Sequence, residues 1–520
     1  MFHNLWLKIK GVLIKMGLIN AVQNVLSTSD LIIDSNFYSK ISEWQNIYAG
    51  EDDIKSWQDV TGKIHRRKRM SLKMAKVISK KMSTLVFNEK ARILISEKGD
   101  AENDDNIDKS RANQFVKSVL EDNYFYHNFG TRLEYMFSGG GLAIRTYVKD
   151  GKVKIRFATA DSFLPISQDE NGVSECAIIS KFAKSGKYYT LVELHTEDDS
   201  NYLVQNRLFE SDNNSDELGT EIPLTTIYGD SLKEISKYPK SSYSRPTFVY
   251  LKPNLANNFD PSSPLGISIY ANAVDTLDEL DQAYDMLMQE LVMGRRRIVA
   301  PDWMMIRNTD PRTGKKKAYV DFEEEVYQSY YSDISSPNAP QKPEDVTLGL
   351  RTQEITQTIN TLLDYLCGQT GFSVGSFTYT AAQGVETATG VISRNSDTYQ
   401  SKRDHETIIE DGLKKMIISI LELGKAAGIY QGSTDVDISI NFDDSIAQDR
   451  TENAKYFQLM NGNAPLMPQK EAIKRANDLT DSEAEDWYSQ IKEENSQGDM
   501  ADILDDNKDG DQDETPTMGN

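Results

Sequence analysis

An α+β fold, mainly helical and carrying an antiparallel sheet in its first half, is what this sequence predicts. Three observations lead there: apolar residues recur at helical spacing along most of the chain, the period shifts to two between Leu142 and Phe209, and two long helical patterns bracket a short proline-bounded insert. The 520 residues exceed the roughly 250 to 300 at which a single core stops growing, so about two to four structural units are expected. At 38% hydrophobic and 9% aromatic the composition is that of a folded protein, while the formal net charge of -22 is a self-repulsion that counterions or partners must relieve. Cys176 and Cys367 are too few for a disulfide scaffold and suit a reducing, cytosolic compartment.

Taken in order, "MFHNLWLKIKGVLIKMGLI" gathers Phe2, Leu5, Leu7, Ile9, Val12, Leu13 and Met16 on a broad helical face, which docks on the protein body or on a membrane surface. Lys8, Lys10 and Lys15 interrupt the apolar runs before they reach the length of an export signal, and no uninterrupted run of 18 apolar residues exists to span a bilayer. From about 20 to 130 the chain reads mainly as helices. These include the most cationic stretch, His65 to Ile93, with Met70, Leu72, Met74, Val77, Ile78, Met82 and Leu85 as its apolar stripe. Its basic residues form a solvated face or a phosphate-contacting patch; the lack of interleaved aromatics favours the first.

The strand segment follows: "LAIRTYV", "KVKIRFA", "CAIISKFA", "KYYTLVELH" and "NYLVQNRLF" alternate or run apolar, punctuated by Lys-Asp-Gly, Lys-Ser-Gly and Glu-Asp-Asp-Ser, which predicts an antiparallel meander. The triple glycine Gly139 to Gly141 lacks the Lys and Ser/Thr of a phosphate loop and is read as a helix-to-strand turn or a tight crossing. A proline-rich stretch, 211–265, leads to a helix expected from near Leu265 to Met293, about 40 Å long. Its seam is Ala273, Leu277, Leu280, Tyr284, Leu287 and Leu291, and Arg295, Arg296 and Arg297 stand at the end that suits cations. An insert with a hairpin-like "NTDPRTGKK" turn precedes a returning helix marked by Ile355, Ile359, Leu362, Leu363 and Leu366. A glycine- and threonine-rich loop, a long helix from about Val391 to Lys425, further helices to about Glu494 and an acidic tail expected to be disordered complete the chain.

Motifs for chemistry are weak. Five scattered histidines lack metal-ligand spacing, neither cysteine has a nucleophile context, and no glycine-lysine pair is followed by Ser or Thr. The tail places Asp505, Asn507, Asp509 and Gly510 as a calcium loop would, but Pro516 stands where a bidentate Glu is needed. Asp443 and Asp444 are the adjacent carboxylates that a metal-dependent nuclease would use, in a chain with 80 acidic residues where such pairs arise by chance.

The order of parts, together with "GGGLAIRTYVKDGKVKIRFATADSFLPIS", "PLGISIYANAVDTLDELDQAYDMLMQELVMGRRRIVAP" and "NFDDSIAQDRTENAKYFQLMNG", resembles the portal proteins of tailed double-stranded-DNA bacteriophages, most of all the siphophage type. The resemblance covers about residues 40 to 495. It implies a mainly helical portal-type fold with an antiparallel wing sheet, and no enzyme, cofactor or metal. The implied parts are an N-terminal peripheral helix (1–39), a wing (40–250, completed by 391–444), stem helices (265–295 and 347–371), a clip (296–346), a tunnel loop (372–390), crown helices (445–494) and the tail (495–520).

The implied assembly is a homo-oligomeric ring, usually twelve-fold in the virion, at one capsid vertex and put together in the host cytoplasm. Its implied partners are a terminase motor, capsid and scaffolding proteins, a head-completion adaptor, and duplex DNA that passes without sequence readout; no membrane is involved. Under that resemblance the seam packs on the returning helix and on an adjacent subunit, and Asp278, Asp281 or Asp285 faces the channel. Arg295 to Arg297 form a positive ring or intersubunit salt bridges. Phe372, Phe377 and Tyr379, with Gly375 and Gly384 as flexible points, touch DNA, meet a neighbouring loop or act as a buried anchor. The alternatives are another phage head component, such as an adaptor or minor capsid protein, and a metal-dependent nuclease at Asp443 and Asp444.

Overall fold

A computed structural model describes residues 35–50, 54–58, 62–88, 91–97, 110–170, 172–212, 219–294, 297–300, 307–309, 316–318, 326–329, 344–345, 347, 349–378, 394–442, 457–460, 467–477 and 484–492. In chain order come α1 (Ser35–Ala49), β1 (Ile54–Gln58), β2 (Ile64–Lys68), α2 (Met74–Val86), β3 (Arg92–Glu97), α3 (Arg111–Asp122) and α4 (Phe125–Gly139). Strands β4 (Leu142–Lys149), β5 (Lys152–Thr159), β6 (Phe163–Asp169), β7 (Gly172–Lys184), β8 (Lys187–Glu197), β9 (Asn201–Ser211), β10 (Thr220–Ile222), β11 (Ile235–Pro239) and β12 (Phe248–Leu251) follow. Then come α5 (Val274–Met293), the short strands β13 (Arg297–Ala300), β14 (Arg307–Thr309), β15 (Lys316–Ala318), β16 (Val326–Ser329) and β17 (Glu344–Asp345), and finally α6 (Thr352–Gln369), α7 (Ser396–Ala426), β18 (Val436–Asn441) and α8 (Gln469–Asn477). By contacts the chain divides into two compact units, one of residues 1–42, 79–268 and 383–520, the other of 43–78 and 269–382.

The first unit is the α+β body. Alternating apolar residues build an antiparallel sheet in the order β10-β9-β8-β7-β6, with β11 also on β9, and a second sheet in the order β12-β4-β5; β18 pairs with β3. Two of the expected turns join strands as two-residue hairpins with both central residues at positive φ, Asp150-Gly151 between β4 and β5 and Ser185-Gly186 between β7 and β8. Helix α7 crosses β12 and β4 and buries Ile409, Leu413, Met416, Ile417 and Ile420, a 4-3-1-3 spacing that keeps one face on the sheet. Two polar contacts lie inside this layer: Thr146 Oγ1 and Ser419 Oγ are 2.7 Å apart, and His405 Nδ1 accepts the Asn254 N–H at 3.0 Å. Arg145 pairs with Glu193, both buried, and burial pushes the Glu193 carboxyl up and the His195 imidazole down to about 3. Both cysteines are buried and neither is in a disulfide.

The triple glycine closes α4 and starts β4. Gly140 holds φ 87°, its N–H bonds the Met136 carbonyl at 2.8 Å, and a Cβ there would stand 2.6 Å from the Gly266 carbonyl oxygen. The backbone therefore turns and crosses another strand of chain at the same point, which only glycine permits.

Two expectations require correction. The stretch from His65 to Ile93 is not one helix: residues 64–68 form β2, residues 69–73 are neither strand nor helix and end on Lys73 at φ 54°, and helix α2 begins only at Met74. The cause is a period-two alternation, with His65 and Arg67 on one face of the strand and Arg66 and Lys68 on the other. The helix expected from Leu265 begins at Val274, after a single 3-10 turn at Ala271–Ala273; the backbone of Gly266 and Ile267 instead lies against Gly140. Residues 43–78, grouped with the sheet on sequence grounds, cluster by contacts with the helix pair of the second unit.

Candidate functional site: an acidic helix clasped by a basic hairpin

Helices α5 and α6 pack along each other in the second unit. Their polarity is opposed, because Arg351, just before α6, donates from Nη2 to Glu290 Oε2 at 2.8 Å and from Nε to Oε1 at 3.2 Å near the end of α5. Both helices begin with an acid in the first turn, Asp275 and Glu354, where the N-terminal dipole favours it. Ile355, Ile359, Leu363 and Leu366 are the buried face of α6. The α5 seam is graded: Ala273, Leu277 and Leu280 are buried, Tyr284 and Leu287 half-buried, and Leu291 is 49% exposed. The pair is thus sealed at the α5 start and open at its far end, where Met286, Val292, Met293 and Leu350 are also exposed.

Asp278, Asp281 and Asp285 stand at i, i+3 and i+7 and so share one stripe of α5. All three bond the same short segment, residues 67–72. Arg67 donates to both Asp285 oxygens at 2.6 Å, Lys55 Nζ lies 3.5 Å away, and the Met70 N–H adds a bond at 3.1 Å. Leu72 N–H donates to Asp281 Oδ1 at 2.9 Å. Arg69 donates from Nη1 to Asp278 Oδ1 at 2.6 Å and from Nη2 to the Asp278 carbonyl, while Gln282 reaches the other carboxylate oxygen at 2.8 Å. Lys55 and Arg67 are direct cross-strand partners, and Trp57 stacks on its own partner His65 with centroids 5.4 Å apart. Hydrogen bonding from Arg67 is the first cause that holds the Asp285 carboxyl far below the usual carboxylate range.

The Asp285 side chain is only 4% exposed, so its charge is spent inside the chain, whereas that of Asp278 is 57% exposed. The basic stretch and the acidic helix were read separately on sequence grounds, yet they neutralise each other. No local sequence signal joins them, because Arg67 and Arg69 precede Asp285 and Asp278 by about 210 residues.

Helix α6 ends in a left-handed turn. Gly371 has φ 76°, and Phe372 N–H donates to the Cys367 carbonyl at 2.9 Å, the six-to-one bond of a Schellman motif. Phe372 is 1% exposed and meets Phe377 edge to face at 5.0 Å, and Gly375 N–H bonds Asp364 Oδ1 at 3.1 Å. The first residues of the 372–390 segment are therefore pinned to the end of α6. Tyr379 and Gly384 lie outside the described residues, as do Arg295, Arg296, Asp443 and Asp444. Arg297 opens β13, which pairs parallel with β16 and antiparallel with β17; β14 and β15 form the hairpin around the expected turn.

Among the described residues no group of three or more His, Cys, Asp or Glu is placed to hold a metal ion, and no helix is long and apolar enough to cross a membrane. A family model described as phage portal protein, SPP1 Gp6-like, matches residues 31–497. No curated protein matches the chain.

Proposed function

The chain belongs to the SPP1 Gp6-like phage portal protein family, a family of structural proteins, and from that premise we propose that it assembles as a ring at one capsid vertex and serves as the conduit for duplex DNA. The observation that carries the reading is the antiparallel pair α5 and α6 with a small stranded insert joining the ends at Glu290 and Arg351, within a chain that the family matches over 31–497. In this reading 265–295 and 347–371 form the stem, 296–346 the clip, and 372–390 the tunnel loop. The wing is 40–250 with 391–444, its residues 43–78 clustering by contacts with the stem pair, and 445–494 the crown. The clip is the docking place for a terminase motor and later for a head-completion adaptor, and the particle is put together in the host cytoplasm.

A conduit must not hold DNA at each step. Tight binding comes from cations that displace counterions from phosphates, and the α6 surface offers few. Glu354, Gln357, Thr358, Thr361 and Tyr365 form an exposed stripe, and the hydroxyls of Thr358 and Thr361 already donate to helix carbonyls at 3.0 Å. Such a surface presents little charge and few free donors to a sliding duplex. Of the three clasp carboxylates, Asp278 retains the exposure to add negative potential to the bore, while Asp281 and Asp285 set the helix in place. Arg295 to Arg297 would ring the passage near the clip.

The test is a packaging reaction with procapsids built with and without this chain. Nuclease-protected DNA should appear only when the chain is present at assembly; equal protection without it would contradict the conduit role.

A further inference from the structure

The clasp uses one face of the β1–β2 hairpin only. Lys55 and Arg67 look toward α5 of their own chain, so by strand alternation Ile54, Ser56, Gln58, Ile64, Arg66 and Lys68 occupy the opposite face. Ile54 and Ile64 are 60% and 63% exposed, and Arg66 and Lys68 are exposed as well, with Arg66 unpaired among the described residues. Helix α5 likewise uses only one stripe for the clasp. A second stripe, Asp275, Glu279, Gln282 and Met286, is exposed throughout, and neither Asp275 nor Glu279 has an ion-pair partner among the described residues.

The two surfaces complement each other in charge, in apolar content and in length. One carries two cations with flanking isoleucines, the other two carboxylates followed by a methionine. The hairpin face spans about 13 Å from Ile54 to Gln58, and the helix stripe about 16 Å from Asp275 to Met286. Within one chain the hairpin cannot serve both stripes, because its outer face points away from the helix that its inner face holds.

We propose that the outer face of the β1–β2 hairpin docks on the Asp275–Glu279–Met286 stripe of α5 in a second copy of this chain, so that each hairpin is a wedge between its own α5 and its neighbour's. This inference rests on the ring reading and names the contact that would close the ring. The contact is heterologous, joining two different patches, and repeats around a closed rotation. It also answers the charge problem: subunits of net charge -22 meet through the cations of one and the acids of the next.

The experiment is a charge swap read by native mass at low micromolar concentration. Arg66→Glu with Lys68→Glu, and separately Asp275→Lys with Glu279→Lys, should each raise the concentration for half-assembly at least about tenfold. The chain carrying all four changes should assemble again, because every contact then regains opposite charges. To guard against misfolding, an Arg66→Cys, Glu279→Cys chain is oxidised as a second measurement; it should give a ladder of cross-linked multimers that neither single cysteine variant gives. Assembly of either charge variant at wild-type concentrations, failure of the fourfold variant to recover, or absence of the ladder overturns the contact while the wild-type ring stands. A wild-type chain that stays monomeric removes the ring reading itself, and this contact with it.

Discussion

Removing the Asp285 carboxylate would leave Arg67 without the partner to which it gives two 2.6 Å bonds. Breaking such a pair by deleting the more buried member costs about 3 kcal/mol. Asp285→Ala should therefore clearly lower the stability of the second unit, read from urea midpoints, while Gln357→Ala, on the exposed face of α6, should change it by less than about 0.5 kcal/mol; equal changes would contradict the clasp. The pH dependence has a definite sign. Asp285 is held below its unfolded value, so its stabilising contribution is full above about pH 4 and is lost as the pH falls further.

His405 acts in a higher window. Burial depresses its imidazole to about 4, so between about pH 6.5 and 4 the unfolded chain binds a proton that the folded one does not. Stability then falls on acidification by up to about 1.4 kcal/mol per pH unit. His405→Gln should make that limb shallower in urea midpoints taken at pH 7, 6 and 5, the remainder coming from buried His195, and an unchanged slope would show that the His405 ring does not contribute to it.

Among the elements, the graded seam of α5 makes a contrast within one helix. Leu280 and Leu363 are fully buried, so truncation of either to Ala should cost about 2–5 kcal/mol. Leu291→Ala, at 49% exposure, should cost the isolated chain less than about 1 kcal/mol and matter only once neighbours cover it. Thermal melts of the three variants below the assembly concentration separate these cases. Gly140→Ala combines positive φ with a carbonyl 2.6 Å from the new Cβ and should destabilise the first unit by about 1–3 kcal/mol.

These same elements show what the sequence could carry. The meander and the seam were legible because one face of each is buried, so a single period dominates. The His65 strand was not, because a two-stranded ribbon buries little and its alternation is written in cations that also fit a helix face. The three α5 carboxylates were legible as a set, but their partners lie about 210 residues earlier in the chain, a separation no local pattern encodes.

For the whole molecule, charge is the governing quantity. A chain of net charge -22 approaches its copies against repulsion, and salt that screens this within about 8–10 Å will also weaken the proposed hairpin contact. Assembly should therefore pass through an optimum in ionic strength rather than rise steadily, which light scattering over a salt series would show; a monotonic rise would mean that repulsion alone matters. The measurement that tests the central reading most directly is the native mass of the purified chain across that series, by mass photometry, with negative-stain images of the same samples. Closed rings with a central hole at about twelve subunit masses are expected. A monomer or dimer at every salt concentration would contradict it.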